Sequence, residues 1–169
     1  MNMKKKSLLI LSLLGLTLTS FSQEKLASPA AKATGASDGI TVTLDYHQPS
    51  AKGRKIMGGL VPFGEVWRTG ANETTSIEFS ANAKIEGQAV PKGKYGLYTI
   101  PGENEWIIII NKDIKWGHFD YTDKQDVIRV KVKPAKTTSL IETFVISVEN
   151  GNVVLKWENT SVSFKITKG

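Results

Sequence analysis

Apolar and polar residues alternate one for one along much of this chain. In "ITVTLDY", Ile40, Val42, Leu44 and Tyr46 share one face and Thr41, Thr43 and Asp45 the other, the period of a half-buried strand, because successive side chains of extended backbone point to opposite sides. Ile128, Val130 and Val132 alternate with Arg129, Lys131 and Lys133, and Phe144, Ile146 and Val148 repeat the pattern. After "ENGN" it resumes at Val153, Leu155 and Trp157. Asn150-Gly151 supplies the positive φ of a two-residue hairpin turn, so these last two strands pair. A further strand carries Val162, Phe164 and Ile166.

Other segments add to the list. "KYGLYTI" and "WIIIIN" flank "PGENE", whose Pro101-Gly102 is a turn pair. The unbroken apolar run from Trp106 to Ile110 predicts a strand covered on both faces and therefore interior to its sheet. "FSANAKIEGQAVPKGKY" fits two short strands, with turns at Gly87 and at Pro91-Lys92-Gly93, and "TSIEF" another. About eight strands with short connections and no amphipathic helix predict an all-β fold, an antiparallel two-sheet β-sandwich or jelly roll. "NKDIKWGHFDYTDKQD" (111–126) has no 3.6-residue period and reads as an irregular loop.

The first residues follow a different rule. Lys4, Lys5 and Lys6 precede an apolar run at 8–18 that is too short to cross a bilayer, and Ser20 and Ser22 give the small-x-small pattern of a signal-peptidase site before Gln23. Residues 1–22 are therefore expected to be a cleaved Sec signal peptide, with cleavage between Ser22 and Gln23 and the mature protein free in the periplasm or outside. There is no cysteine, which excludes a lipoprotein anchor, disulfides, thiol nucleophiles and Cys-ligated metals. Residues 23–38, small and polar with too few large apolar groups to pack, read as a flexible lead-in to a domain at 39–169. No later segment is apolar enough to span a membrane.

Charge narrows the partners. The chain has 22 Lys+Arg against 16 Asp+Glu, and the leader holds three of the bases and no acid, leaving 19 against 16, a net of +3. The remaining bases are interspersed with acids, so a nucleic-acid partner is not expected.

Two long loops stand out among tight turns: "QPSAKGRKIMGGLVPFG" (48–64) and residues 111–126. Around them lie Arg54, Lys55, Trp67 and Arg68, then Lys115, Trp116 and His118. In "VWRTGANET", Trp67 and Arg68 end a short strand, and Asn72 and Glu73 follow Gly70. As a site, Arg68 would clamp a carboxylate or sugar hydroxyl, Trp67 would offer an aromatic face, and Asn72 and Glu73 would fix orientation. As an anchor, Trp67 would be core, Arg68 would pair with Glu73, and Asn72 would close an Asx turn. The candidate ligand-binding set is Arg54, Trp67, Arg68, Asn72, Glu73, Trp116 and His118.

Long stretches of the chain, "QPSAKGRKIMGGLVPFGEVWRTGANETTSIEF", "VPKGKYGLYTIPGENEWIIIINK", "DVIRVKVKP" and "LKWENTSVSFKI", resemble the bacterial secreted family catalogued as domain-of-unknown-function family 2911. The resemblance covers nearly all of the mature chain and implies no particular activity, substrate or catalytic residue. Some family members carry an asparagine-synthetase label. That reaction needs an ATP site and usually a cysteine nucleophile, and this chain has neither a cysteine nor a glycine-rich phosphate loop.

Enzyme chemistry finds little else to work with. The two histidines, His47 and His118, have no H-x-H or H-x-x-x-H partner and no G-x-S-x-G elbow is present. Asp120 stands close enough to His118 in sequence to orient it, and Asp120, Asp123 and Asp126 lack the pattern of a calcium loop. No metal or cofactor is expected. Three readings stay open: a non-catalytic binding module for a small polar ligand, carbohydrate or peptide; a hydrolase or lyase in which Glu73 meets Glu65 or Asp113; and a structural envelope protein with an envelope partner.

Overall fold

The computed structural model describes residues 27–115 and 120–169. Ten strands are found among them: β1 (Ala30–Ser37), β2 (Ile40–His47), β3 (Ser76–Phe79), β4 (Ala83–Ile85), β5 (Gln88–Val90), β6 (Gly93–Ile100), β7 (Trp106–Asn111), β8 (Asp126–Val132), β9 (Ala135–Glu149) and β10 (Asn152–Lys168). They form two antiparallel sheets, one ordered β1-β2-β3-β6-β7-β8 and the other β5-β4-β10-β9. The all-β, two-sheet expectation therefore holds.

Alternation explains the layers. Ile40, Val42, Leu44 and Tyr46 of β2 and Phe144, Ile146, Val153, Leu155 and Trp157 of β9 and β10 are all buried between the sheets, which is where period-2 apolar positions must go. β7 lies between β6 and β8, and Ile108, Ile109 and Ile110 are completely buried. The outer cover comes from the loop after β7: a methyl group on Gly96 would strike the Asp113 carbonyl oxygen, so that loop lies directly on the sheet there.

Three expectations are corrected. Residues 30–37 form β1, pairing along their whole length with β2, and are not part of a lead-in. Their small side chains suffice because β1 is an edge strand that buries only Ala33 and Ser37, and Asp38-Gly39, at φ 48° and 80°, makes the same positive-φ hairpin turn as Asn150-Gly151. The segments around Trp157 and Phe164 are one strand of 17 residues. A register shift at Glu158, whose φ is 54°, keeps the two halves from reading as one alternating run. Trp67 and Arg68 do not end a strand: the chain there makes a single bridge, Trp67 to Thr99.

At one end of the sandwich the core becomes aromatic. The Trp67 ring lies nearly parallel to Trp157 at 5.9 Å and edge-on to Phe144 at 5.3 Å and Trp106 at 6.4 Å. Trp106 belongs to the larger sheet and Phe144 and Trp157 to the smaller, so the loop residue Trp67 joins the two. Burying such a ring contributes roughly 4–6 kcal/mol by area.

Candidate functional site

A turn held by threonines fixes Trp67 and Arg68. Trp67 exchanges both backbone hydrogen bonds with Thr99 of β6, at 2.8 and 2.9 Å. Thr69 then takes φ 59° while fully buried, a left-handed conformation that β-branched residues rarely adopt. Its surroundings hold it there. The Thr75 hydroxyl donates to the Thr69 carbonyl at 2.6 Å, the Thr69 hydroxyl donates to Thr99 Oγ1 at 3.2 Å, and the Thr75 amide donates to the Arg68 carbonyl at 3.2 Å. The Trp67 indole donates to the Gly70 carbonyl at 3.1 Å. Asn72, at φ 57°, donates from Nδ2 to the Ser28 carbonyl at 3.3 Å, which fastens the chain ahead of β1 to this turn.

Beside the turn opens a cavity of about 680 Å³, within the ordinary size of a small-molecule site. Trp67 and Trp157 are part of its wall, with Leu60 and Val61 of the long loop. The charged residues of its described wall are Lys52, Arg54, Arg68 and Glu65, with Ser28 and Ser50 beside them. Arg68 is half-buried, and its removal from water lowers its guanidinium pKa from the ordinary value. Arg54 is pinned by hydrogen bonds from Nε to the Ala51 carbonyl at 3.0 Å and from Nη2 to the Ser50 carbonyl at 2.7 Å.

The long loop is itself anchored. Glu158, in the bulge of β10, accepts the Ile56 and Met57 amides at 3.2 and 3.4 Å, and the Ala51 amide donates to the Glu142 carbonyl at 2.7 Å. Ile56, Met57 and Val61 are buried, whereas Leu60 is 49 % exposed. The loop thus plugs the sandwich with its apolar side chains and leaves one wall to the cavity.

Of the sequence candidates, Arg54, Trp67 and Arg68 meet at this cavity. Asn72 sits behind it as a fastener, without an Asx turn. Glu73 is exposed and lines a second cavity, of about 780 Å³, with Lys32, Asp45, His47 and Lys94. There Asp45 bridges Lys32 at 2.5 Å and Lys94 at 3.1 Å, and the Lys32 bond, ahead of Lys94's, lowers its carboxyl pKa. Glu65 and Glu73 therefore line different cavities. Trp116, His118, Ser22 and Gln23 lie outside the described residues. Among the described residues no group of three or more His, Asp or Glu is placed to hold a metal, and no helix is long and apolar enough to cross a membrane.

Sequence reasoning missed Trp157, Lys52 and Glu65 as wall residues. Trp157 looked like any inward strand residue, and only the fold brings it against Trp67. A third polar group stands on the larger sheet: Asp126 accepts from Tyr121 at 2.8 Å, Asn111 at 2.8 Å and Arg129 at 2.6 Å. Burial and the Asp126 carboxylate raise the Tyr121 pKa.

The chain matches, over residues 28–166, the family described as protein of unknown function (DUF2911). No curated protein and no solved structure matches it.

Proposed function

The chain belongs to the DUF2911 family, and from its site we propose that it is a secreted binding module that takes a small polar ligand, a carbohydrate or peptide fragment, in the cavity between Trp67 and the long loop. One observation carries this reading. Arg54, Trp67 and Arg68, together with the distant Trp157, converge on one cavity of about 680 Å³ whose walls are fixed in advance by the threonine turn and the Glu158 anchor. Sites of that size, with an apolar wall and a few held polar groups, bind ligands with little reordering cost. Secretion is supported by the Lys4–Lys6 cluster and the apolar run at 8–18.

The Glu73–Glu65 form of the carboxylate-based hydrolase reading loses support here, since among the described residues Glu65 is the carboxylate of this wall and Glu73 lines the other cavity. The test is a thermal-shift screen of mature protein against sugars, amino acids and short peptides, beside Leu60→Glu. Leu60 is exposed, so the variant folds while a charge blocks the cavity. A ligand that raises the melting temperature of wild type and not of Leu60→Glu supports the reading. Hits that stabilise both equally contradict it.

A further inference from the structure

The tip of the 48–64 loop combines exposed apolar surface, unpaired cations and a backbone without free amides. Leu60 is 49 % exposed and Phe63 36 %, and the two flank one turn. Leu60 stands on the rim of the first cavity. The Phe63 ring lies against Gly58, where a methyl group would meet it at 2.6 Å, and faces a third cavity of about 280 Å³. Pro62, also exposed, sits between them. Large apolar groups gathered on one projecting element mark an interaction surface.

The charges around this tip have one sign. Residues 48–64 hold Lys52, Arg54 and Lys55 and no acid. All three bases are exposed, and none is in an ion pair among the described residues. Lys52 and Arg54 share the cavity rim with Leu60, and the Lys55 carbonyl accepts the Leu60 amide at 3.1 Å, so the cations lie beside the apolar tip. The carboxylates beneath the loop are turned to its backbone: Glu142 accepts the Lys52 amide at 2.8 Å, and Glu158 those of Ile56 and Met57. Glu65 shares the rim with the bases, and Glu103 stands with Lys136 on the Phe63 side.

The backbone says what medium the tip suits. Ile56 and Met57 donate to Glu158. Gly58 donates to the Val61 carbonyl at 2.9 Å, Gly59 and Val61 to the Ile56 carbonyl at 3.1 and 2.9 Å, and Leu60 to Lys55. Pro62 has no N–H. Every amide from Ile56 to Val61 is thus met within the protein. A loop that stays in water gains little from this, since water would serve those donors. A loop that enters an apolar boundary requires it, because a donor left unpaired there is heavily penalised. The bonded turn also loses little freedom on docking.

We propose that this tip docks on an anionic phospholipid surface, with Leu60, Pro62 and Phe63 entering the boundary between headgroups and acyl chains and Lys52, Arg54 and Lys55 meeting headgroup phosphates. An acidic protein surface would match the bases alone. A bilayer interface matches the bases, the apolar tip and the closed set of amides together. The proposal goes beyond the ligand reading, since neither Phe63 nor Lys55 is among the described wall residues of the first cavity.

The experiment is sedimentation of residues 23–169 with vesicles. Phosphatidylglycerol mixed into phosphatidylcholine should bind the protein at least about tenfold more tightly than phosphatidylcholine alone, and added salt should release it. Phe63→Ser and Lys55→Glu should each weaken vesicle binding severalfold and leave unchanged the thermal shift given by any soluble ligand of the first cavity. Leu60→Ser replaces Phe63→Ser if the latter does not fold. Equal binding to both vesicle types overturns the headgroup contact. Binding that Lys55→Glu weakens and neither apolar variant changes is adsorption by charge alone, and overturns insertion. No vesicle binding overturns the proposal and leaves the tip to a protein partner, while soluble ligands found by thermal shift still uphold the cavity reading. Vesicle binding without any such ligand does the reverse.

Discussion

Replacing Thr75 by valine tests whether the "WRTGANET" turn is held in the way described. Thr75 is completely buried, and its hydroxyl gives the Thr69 carbonyl a hydrogen bond of 2.6 Å, the one that carbonyl receives among the described residues. Valine keeps the shape and deletes the donor. A buried carbonyl left unsatisfied costs about 1–3 kcal/mol, and the left-handed Thr69, itself strained by about 1–2 kcal/mol, loses one of its restraints. With a urea slope of about 2 kcal/mol per molar for a domain of this size, a loss of ~2 kcal/mol lowers the unfolding midpoint by ~1 M. Urea unfolding followed by tryptophan fluorescence reads this directly, because Trp67 sits on the turn. Thr43→Val, on the outer face of β2 where the Thr43 hydroxyl accepts a long hydrogen bond from the exposed Thr34 hydroxyl, serves as control and should stay within about 0.5 kcal/mol of wild type. A Thr75→Val midpoint equal to that of the control would refute the claim that this hydrogen bond holds the turn.

Other outcomes follow from the same geometry. Glu158→Ala removes the acceptor of the Ile56 and Met57 amides and should cost about 2–3 kcal/mol; limited trypsin digestion should then cut at Lys52, Arg54 or Lys55 well before it does in wild type. Tyr121, whose pKa is raised above the ordinary 10.0, stays protonated in the folded chain at pH values where the unfolded chain releases the proton, so stability present below pH 10 falls as pH rises above it. Urea midpoints measured from pH 9 to 11 should decline less steeply in Tyr121→Phe than in wild type. Trp67→Ala should lose about 3–5 kcal/mol through the gap left against Trp157, Phe144 and Trp106, visible as a large drop in thermal midpoint.

The strands were legible wherever alternation was strict, as in β2 and β8, or where a turn pair marked a hairpin, as at Asn150-Gly151. β1 was hidden because an edge strand needs little apolar surface, although Asp38-Gly39 carried the same turn signal. Within the site, Arg54, Trp67 and Arg68 were legible because polar and aromatic residues gathered beside glycines in a long loop. Trp157 was not, since its place in the wall depends on how the two sheets close over Trp67. Glu73 was grouped with Arg68 by proximity in sequence, yet the reversal at Thr69 to Asn72 turns it toward the second cavity. Thr75 and Glu158 gave no warning of their roles, which arise from contacts 6 and more than 100 residues away along the chain.

The central claim is that the cavity beside Trp67 is a binding site, and the most direct measurement is a two-dimensional amide and indole NMR titration of residues 23–169 with the sugar, amino acid or peptide that most raises the melting temperature in the thermal-shift screen. The account predicts shifts concentrated at the Trp67 and Trp157 indoles and at the amides of Arg54, Leu60, Val61 and Arg68, with His47 and Lys94 unmoved. Shifts confined to His47, Lys94 and Glu73, or no shifts with any ligand found by thermal screening, would contradict it.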